Sequence, residues 1–106
     1  MDLLLRLLVA HALCDYVLQP EFMARHKSPL ADENPKLGPW WWTMLAHGLV
    51  NGGGVYWATG LWTLGVAETV VHGVTDYLKC TGKIGTWADQ LIHLGSKLVW
   101  LFLCLR

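Results

Sequence analysis

A long uncharged stretch constrains what this chain can fold into. Residues 37–67, 31 positions in all, contain no Asp, Glu, Lys or Arg, whereas about 20 apolar residues are enough for a helix to cross the hydrocarbon layer of a membrane. Many of the charges collect in residues 21–36 and 79–83. The predicted spans are residues 3–18, 40–58, 61–78 and 87–105. The sequence therefore predicts an all-α fold, a four-span transmembrane helical bundle with short loops.

Composition supports this prediction and excludes other classes of protein. The chain is 54% hydrophobic and 15% charged, whereas a soluble domain carries about 25% charged residues. Its apolar content is too high for an intrinsically disordered chain. Eight basic and eight acidic residues give a formal net charge of zero, and nucleic-acid binding needs clustered positive charge. We therefore expect a single integral membrane domain over residues 1–106, with no nucleic-acid partner.

The distribution of Lys and Arg predicts the orientation in the membrane. In a four-span arrangement, Arg6 and Arg106 fall on one side and five basic residues fall in the two loops on the other side. The five are Arg25, Lys27, Lys36, Lys79 and Lys83. Because loops rich in Lys and Arg stay in the cytoplasm, we expect both loops there and both termini outside.

Histidine and aspartate recur four residues apart in three of the predicted spans. The pairs are His11–Asp15, His72–Asp76 and, in reversed order, Asp89–His93. Residues four apart share one face of a helix. The first and third spans run toward the cytoplasm and the fourth runs away from it. The reversed order therefore places every Asp nearer the cytoplasm and every His one turn deeper.

A histidine of the second span, His47, completes a layer at one depth. With about 1.5 Å of rise per residue, one His in each span lies roughly 9–11 Å below the cytoplasmic boundary. The three carboxylates lie about 5 Å closer to that boundary. We call the whole set the polar layer: His11, His47, His72, His93, Asp15, Asp76 and Asp89.

The polar layer indicates a metal site. Ionisable side chains inside a span are costly and tend to share a functional interior. Imidazole and carboxylate together suit Zn, Mn, Fe or Ni, and a cation compensates the buried carboxylates. An Asp beside a ligating His can instead orient the ring. We therefore predict one or two divalent ions, with zinc preferred. Two alternatives are hydrogen bonding between helices without a metal and a proton or ion pathway.

Further polar and small residues lie deeper in the predicted spans. Glu68 and Lys97 each lie about ten residues from the cytoplasmic boundary, so Glu68 can pair with Lys97 or with Arg6. Alternatively, the two basic side chains extend to the outer interface. Gly48 and Gly52 have a spacing that allows either close packing within the bundle or self-association. A homo-oligomer is therefore compatible with the sequence.

The motifs also follow an order along the chain. A His-x3-Asp-Tyr motif in the first span is followed by a lone His, a second His-x3-Asp-Tyr motif and a final Asp-Gln-x2-His motif. The residues that carry the pattern are His11, Asp15, Tyr16, Gln19, Met23, Arg25, His26, Lys27, His47, His72, Asp76, Tyr77, Lys79, Asp89, Gln90 and His93. The pattern resembles a domain-of-unknown-function family of small integral membrane proteins from bacteriophages, prophages and bacteria. This resemblance implies a multi-pass protein of the bacterial inner (cytoplasmic) membrane. The chain is more distantly similar to membrane-bound metal-dependent hydrolases.

These observations lead to a functional hypothesis. We expect a metal-dependent hydrolase that acts on a lipid or lipid-linked anionic substrate from the cytoplasmic leaflet, because a divalent ion lowers the pKa of bound water toward about 7. The four histidines of the polar layer would be ligands, and Asp15, Asp76 and Asp89 would ligate, bridge or take the proton. Arg25 and Lys27 would orient the anionic group.

Two other classes of function are compatible with the sequence. One is a non-enzymatic phage membrane effector that contacts a host membrane protein and alters entry, lysis or defence, with the polar layer serving only stability. The other is a proton or ion conductor. A bound metal ion distinguishes the hydrolase from the effector, and ion flux in liposomes identifies a conductor.

Overall fold

The computed structural model describes residues 2–20, 23, 25, 27–29 and 38–105. Within these residues the fold is all-helical, which confirms the predicted class at that level. The helices are α1 (Asp2–Ala12), which continues as a π-helix (Leu13–Val17), α2 (Trp40–Thr59), α3 (Trp62–Cys80) and α4 (Thr86–Leu105). Lys36 and Arg106, which enter the predicted orientation, and His26 lie outside the described residues.

The helices pack as an elongated bundle. Helix α2 packs against α3, α3 packs against α4, and α1 packs against both α2 and α4. A short turn reverses the chain between α2 and α3, where Gly60 has a φ of 74° and donates its N–H to the Tyr56 carbonyl oxygen at 2.7 Å. Glycine adopts this left-handed conformation without steric cost. The bundle measures 44 × 25 × 21 Å along its principal axes.

Polarity in the bundle is inverted relative to a soluble domain. Many of the exposed side chains are large and apolar, and Trp87, Leu91 and Phe102 are 84%, 67% and 66% exposed. The buried polar or charged residues are His11, Asp15, Lys27, Thr43, His47, Asn51, Glu68, His72, Thr75, Asp76, Asp89, His93 and Lys97. Soluble domains almost never bury Asp, Glu or Lys fully unless these residues are paired. The interior of this bundle therefore needs compensating contacts for its charges.

The length and composition of the helices bear on the prediction of membrane spans. Among the described residues, one helix, Thr86–Leu105, is long and apolar enough to cross a membrane. One such helix is weak evidence, because an apolar core helix of a soluble protein has the same length and composition. Helices are present in the four segments predicted as spans. The four crossings themselves stay a prediction.

An apolar cluster fills the half of the bundle away from the polar layer. Its buried members are Leu7, Val55, Ala58, Leu64 and Trp100, which come from all four helices. The polar layer is therefore confined to the other half, near the π-helix and the turn between α3 and α4.

Glycines allow α2 and α3 to approach each other closely. A Cβ atom added at Gly52 would lie 2.5 Å from the backbone oxygen of Gly65 and would overlap the Thr69 hydroxyl. A Cβ atom added at Gly65 would lie 2.9 Å from the backbone oxygen of Gly52. The small residue predicted to pack within the bundle at position 52 does so, and it sets the distance between the two helices that carry His47 and His72.

Replacing Gly52 with Ala should separate α2 from α3 and destabilise the bundle. Overpacking of this kind costs about 1–3 kcal/mol in the free energy of unfolding. The matched control is Gly53→Ala, because a Cβ atom there meets nothing within 4 Å and alanine favours a helix. Thermal unfolding in mild detergent should show a lower midpoint for Gly52→Ala only. Equal midpoints for the two variants would show that the close approach is not required.

Candidate metal centre

Four ligand atoms from three parts of the chain lie close together. Asp15 is on the π-helix, His47 is on α2, and His72 and Asp76 are on α3. Asp15 Oδ1 is 3.1 Å from His47 Nε2 and 3.4 Å from His72 Nε2. Asp76 Oδ2 is 3.4 Å from His47 Nε2 and 3.2 Å from His72 Nε2. Each carboxylate oxygen therefore faces the same two ring nitrogens. We call these four residues the Asp15 group.

The spacing within the Asp15 group matches the coordination shell of a metal ion. Ligands at about 2.0–2.1 Å in a tetrahedral shell lie about 3.3–3.4 Å from one another. The four nitrogen–oxygen distances of the group are 3.1–3.4 Å. His72 is fully buried, yet neither of its ring nitrogens forms an aligned hydrogen bond within the described residues. Asp15, His47 and His72 each offer a ligand atom within 4.8 Å of the others, and they could hold a metal ion. Asp76 Oδ2, which faces the same two nitrogens, is a candidate fourth ligand.

A second group shares Asp76 and adds two residues of α4. Asp76 Oδ1 is 3.4 Å from His93 Nε2, and Asp89 Oδ1 is 3.2 Å from the same nitrogen. His93 and Asp89 are 0% and 2% exposed. These three residues also lie close enough together to hold a metal ion. We call them the Asp89 group.

The π-helix gives Asp15 its position. A π-helical turn contains more residues than an α-helical turn, so it changes the direction of the side chains that follow it. Asp15 Oδ2 lies 4.0 Å from His11 Nε2, whereas Asp15 Oδ1 reaches His47 and His72. The predicted His11–Asp15 pair is therefore longer than a hydrogen bond, at 4.0 Å. Single π-helical turns occur frequently at functional sites.

His11 lies at the edge of the cluster. Its ring centroid is 5.8 Å from that of His93 and 6.2 Å from that of Tyr16. By contrast, the His72 ring centroid is 4.2 Å from that of His93 and 4.8 Å from that of His47. Among the described residues, neither the Asp15 group nor the Asp89 group includes His11. The structure thus brings three of the four predicted histidine ligands together, and a ligand role for His11 stays a prediction.

Lys27 reaches the polar layer from the loop after the π-helix. Its Nζ donates to Asp76 Oδ2 at 2.9 Å and to Gln19 Oε1 at 2.7 Å. Lys27 is buried, whereas Arg25 is exposed. The sequence predicts that both bind an anionic group, and that role stays a prediction. In the structure Lys27 brings a positive charge to the carboxylates.

Glu68 forms a buried ion pair next to the polar layer. Lys97 Nζ donates to Glu68 Oε1, and Trp100 Nε1 donates to Glu68 Oε2 at 2.8 Å. Of the two pairings that the sequence allows for Glu68, the structure shows the one with Lys97. Glu68 Oε1 also lies 3.8 Å from His72 Nδ1, the ring nitrogen that does not face the Asp15 group. A carboxylate in this place can orient a ligating imidazole.

Trp100 and Gln19 have no role at the site in the sequence-based prediction, although Gln19 belongs to the motif pattern. Trp100 follows His93 by seven residues and Lys97 by three, a helical spacing that places all three on one face. This shared helix face could have identified Trp100 as a residue of the site. Gln19 contacts Lys27 through the path of a loop, and loop paths leave no periodic signal in a sequence.

Comparison with known proteins adds a family but no activity. A protein-family model described as "Protein of unknown function (DUF3307)" matches residues 3–104. No curated protein and no solved structure matches the chain. The family match supports the predicted resemblance to a domain of unknown function.

Replacing Lys97 with Met should strongly destabilise the bundle, because Glu68 would lose its ammonium partner in a buried place. Removing one partner of a buried ion pair costs about 3–5 kcal/mol in the free energy of unfolding. The double variant Glu68→Gln with Lys97→Met removes both charges and should recover most of this loss. Thermal unfolding followed by circular dichroism measures the difference. A single variant as stable as the wild type would contradict the pairing.

Proposed function

We propose that this chain, which belongs to the DUF3307 family, is a membrane-embedded protein that binds a divalent metal ion. One observation carries the proposal. In the Asp15 group, two carboxylate oxygens each lie 3.1–3.4 Å from the same two buried imidazole nitrogens. A cation between these atoms provides His72 Nε2 with a partner, which it lacks among the described residues. Asp15 Oδ1 lies within hydrogen-bond distance of His47 Nε2, and Asp76 Oδ2 accepts from Lys27 Nζ. A buried polar atom without a partner is costly.

Charge balance supports the proposal. Asp15, Asp76 and Asp89 bring three buried carboxylates together, and Lys27 is the buried cation beside them. Lys79 lies 3.6 Å from Asp89, but its side chain is 41% exposed, so solvent screens its charge. With the histidines neutral, as metal ligands are, two negative charges are left without a buried cation. A divalent ion compensates them.

The donor atoms favour zinc. Two imidazole nitrogens and two carboxylate oxygens are a four-ligand set that suits Zn²⁺. Calcium and magnesium prefer oxygen ligands at higher coordination numbers. We therefore propose zinc as the bound ion.

The inverted polarity of the bundle supports a membrane location. The large exposed side chains are apolar and the charged side chains are buried, as expected when lipid surrounds the helices. The long axis of 44 Å is close to the thickness of a bilayer with its headgroups, about 40–45 Å. We propose four crossings of the bacterial inner membrane, with both termini outside the cytoplasm and lipids as neighbours.

Within this setting we propose hydrolysis of a lipid or lipid-linked anionic ester. A bound divalent ion makes water a nucleophile near neutral pH. The water oxygen forms a bond to the phosphorus or carbonyl carbon, the ester bond breaks, and the proton passes to the leaving oxygen. Asp15, Asp76 and Asp89 are the buried carboxylates that could carry that proton. The exposed Lys79 side chain at the rim of the Asp89 group marks the side from which the substrate enters.

The apolar cluster favours a bound ion over a conduction path. Leu7, Val55, Ala58, Leu64 and Trp100 fill the interior beyond the Glu68–Lys97 pair. A proton or cation crossing the bundle would have to pass these side chains, which offer it no acceptor atom; the Trp100 N–H is a donor and is bound to Glu68.

Metal analysis of the purified protein tests the proposal. Protein extracted in mild detergent without a chelator should contain at least one zinc ion per chain. His47→Ala should weaken zinc binding more than about 100-fold, since losing only an outer partner of a ligand costs about 10–100-fold. The control is Asp2→Asn, which removes an exposed carboxylate at the start of α1 and should leave zinc binding unchanged. A folded wild type that binds no divalent metal would refute the proposed function.

A further inference from the structure

We infer that the polar layer holds a second divalent ion, bound by the Asp89 group and bridged to the first ion by Asp76. This inference rests on the proposed metal-binding function. It adds the number of ions and identifies the ion at which water and substrate bind.

Asp76 is placed between the two groups. Its Oδ2 atom lies 3.4 Å from His47 Nε2 and 3.2 Å from His72 Nε2. Its Oδ1 atom lies 3.4 Å from His93 Nε2. The two oxygens of one carboxylate therefore face different imidazoles. In two-metal sites the ions are about 3.5–4 Å apart, a separation that one carboxylate can bridge with its two oxygens.

The remaining members of the Asp89 group present unpartnered atoms. Asp89 Oδ2 accepts a hydrogen bond from Gln90 Nε2 at 3.2 Å and lies 3.6 Å from Lys79 Nζ. Asp89 Oδ1 has no hydrogen-bond partner among the described residues, and neither has either ring nitrogen of His93. Both residues are at least nine-tenths buried. A buried acceptor without a partner is costly, and a cation at this point satisfies Asp89 Oδ1 and His93 Nε2 together.

The two groups differ in the number of ligands. The Asp15 group supplies four protein ligands, which is typical of a closed zinc site. The Asp89 group supplies three, and three protein ligands with one open position are typical of catalytic zinc sites. We therefore assign the water and the substrate to the ion of the Asp89 group.

The charge balance with two ions differs from the balance with one. One divalent ion balances the three carboxylates and Lys27, whereas two ions leave the cluster with an excess of positive charge. Water bound as hydroxide and an anionic substrate compensate this excess, in agreement with the anionic substrate class proposed above. The half-exposed Lys79 beside Asp89 adds a positive charge at the rim, which attracts an anion from the cytoplasmic side.

Zinc stoichiometry tests the second site. Purified protein is saturated with Zn²⁺, separated from unbound zinc, and measured for zinc and protein content. The wild type should hold two ions per chain, and Asp89→Asn should hold one. The matched control is Asp2→Asn, which removes an exposed carboxylate at the start of α1 and should hold two.

The outcomes separate this inference from the proposed function. One zinc ion in the wild type overturns the second site and leaves the proposed function standing, whereas no zinc overturns both. Two ions in Asp89→Asn overturn the placement. If Asp89→Asn does not fold, a Co²⁺ titration of the wild type decides the question through its visible absorption. An increase that continues to two equivalents supports the second site, and one that ends at one equivalent overturns it.

Discussion

The burial of carboxylates beside imidazoles is the constraint on which the rest of this structure depends. Asp15, Asp76 and Asp89 lie inside the bundle with three fully buried histidines, and lone carboxylates in such a place would be several kcal/mol too costly each. Lys27 compensates one charge. The negative charge of Glu68 is already compensated by Lys97, and Lys97 and Trp100 donate hydrogen bonds to its two oxygens. The negative charge of the carboxylates that Lys27 does not compensate is the reason to propose a metal ion.

Two backbone features bring the ligands within reach of one another. The contact of Gly52 with Gly65 brings α2 close to α3, so that the ring centroids of His47 and His72 are 4.8 Å apart. The π-helix of α1 turns Asp15 toward these two rings. Both features lie outside the set of ligands, yet the geometry of the centre depends on them. The apolar cluster at the other end of the bundle holds the helices together without contributing polar atoms.

Part of this architecture could be predicted because it is periodic. The uncharged run predicted a helix at residues 40–58, and the structure has Trp40–Thr59. The His–Asp spacing predicted the shared faces of α3 and α4, where Asp76 and Asp89 each lie one turn from a histidine. The first helix departs from this pattern, because α-helical spacing does not reveal a π-helix. Lys27 could not be placed on Asp76 either, since that contact depends on the path of a loop. Four crossings of a membrane stay a prediction, because in the described part of the chain one helix meets the requirements of length and composition.

X-ray absorption at the zinc edge of the zinc-loaded protein tests the central claim most directly. We predict a first shell of nitrogen and oxygen only, at about 2.0–2.1 Å, with outer scattering from imidazole rings. The chain has three free cysteines, Cys14, Cys80 and Cys104. Zinc bound to these residues instead would show sulfur ligands in the spectrum. A sulfur shell at about 2.3 Å, or an oxygen shell without imidazole scattering, would contradict the claim that the buried histidines and aspartates bind the ion.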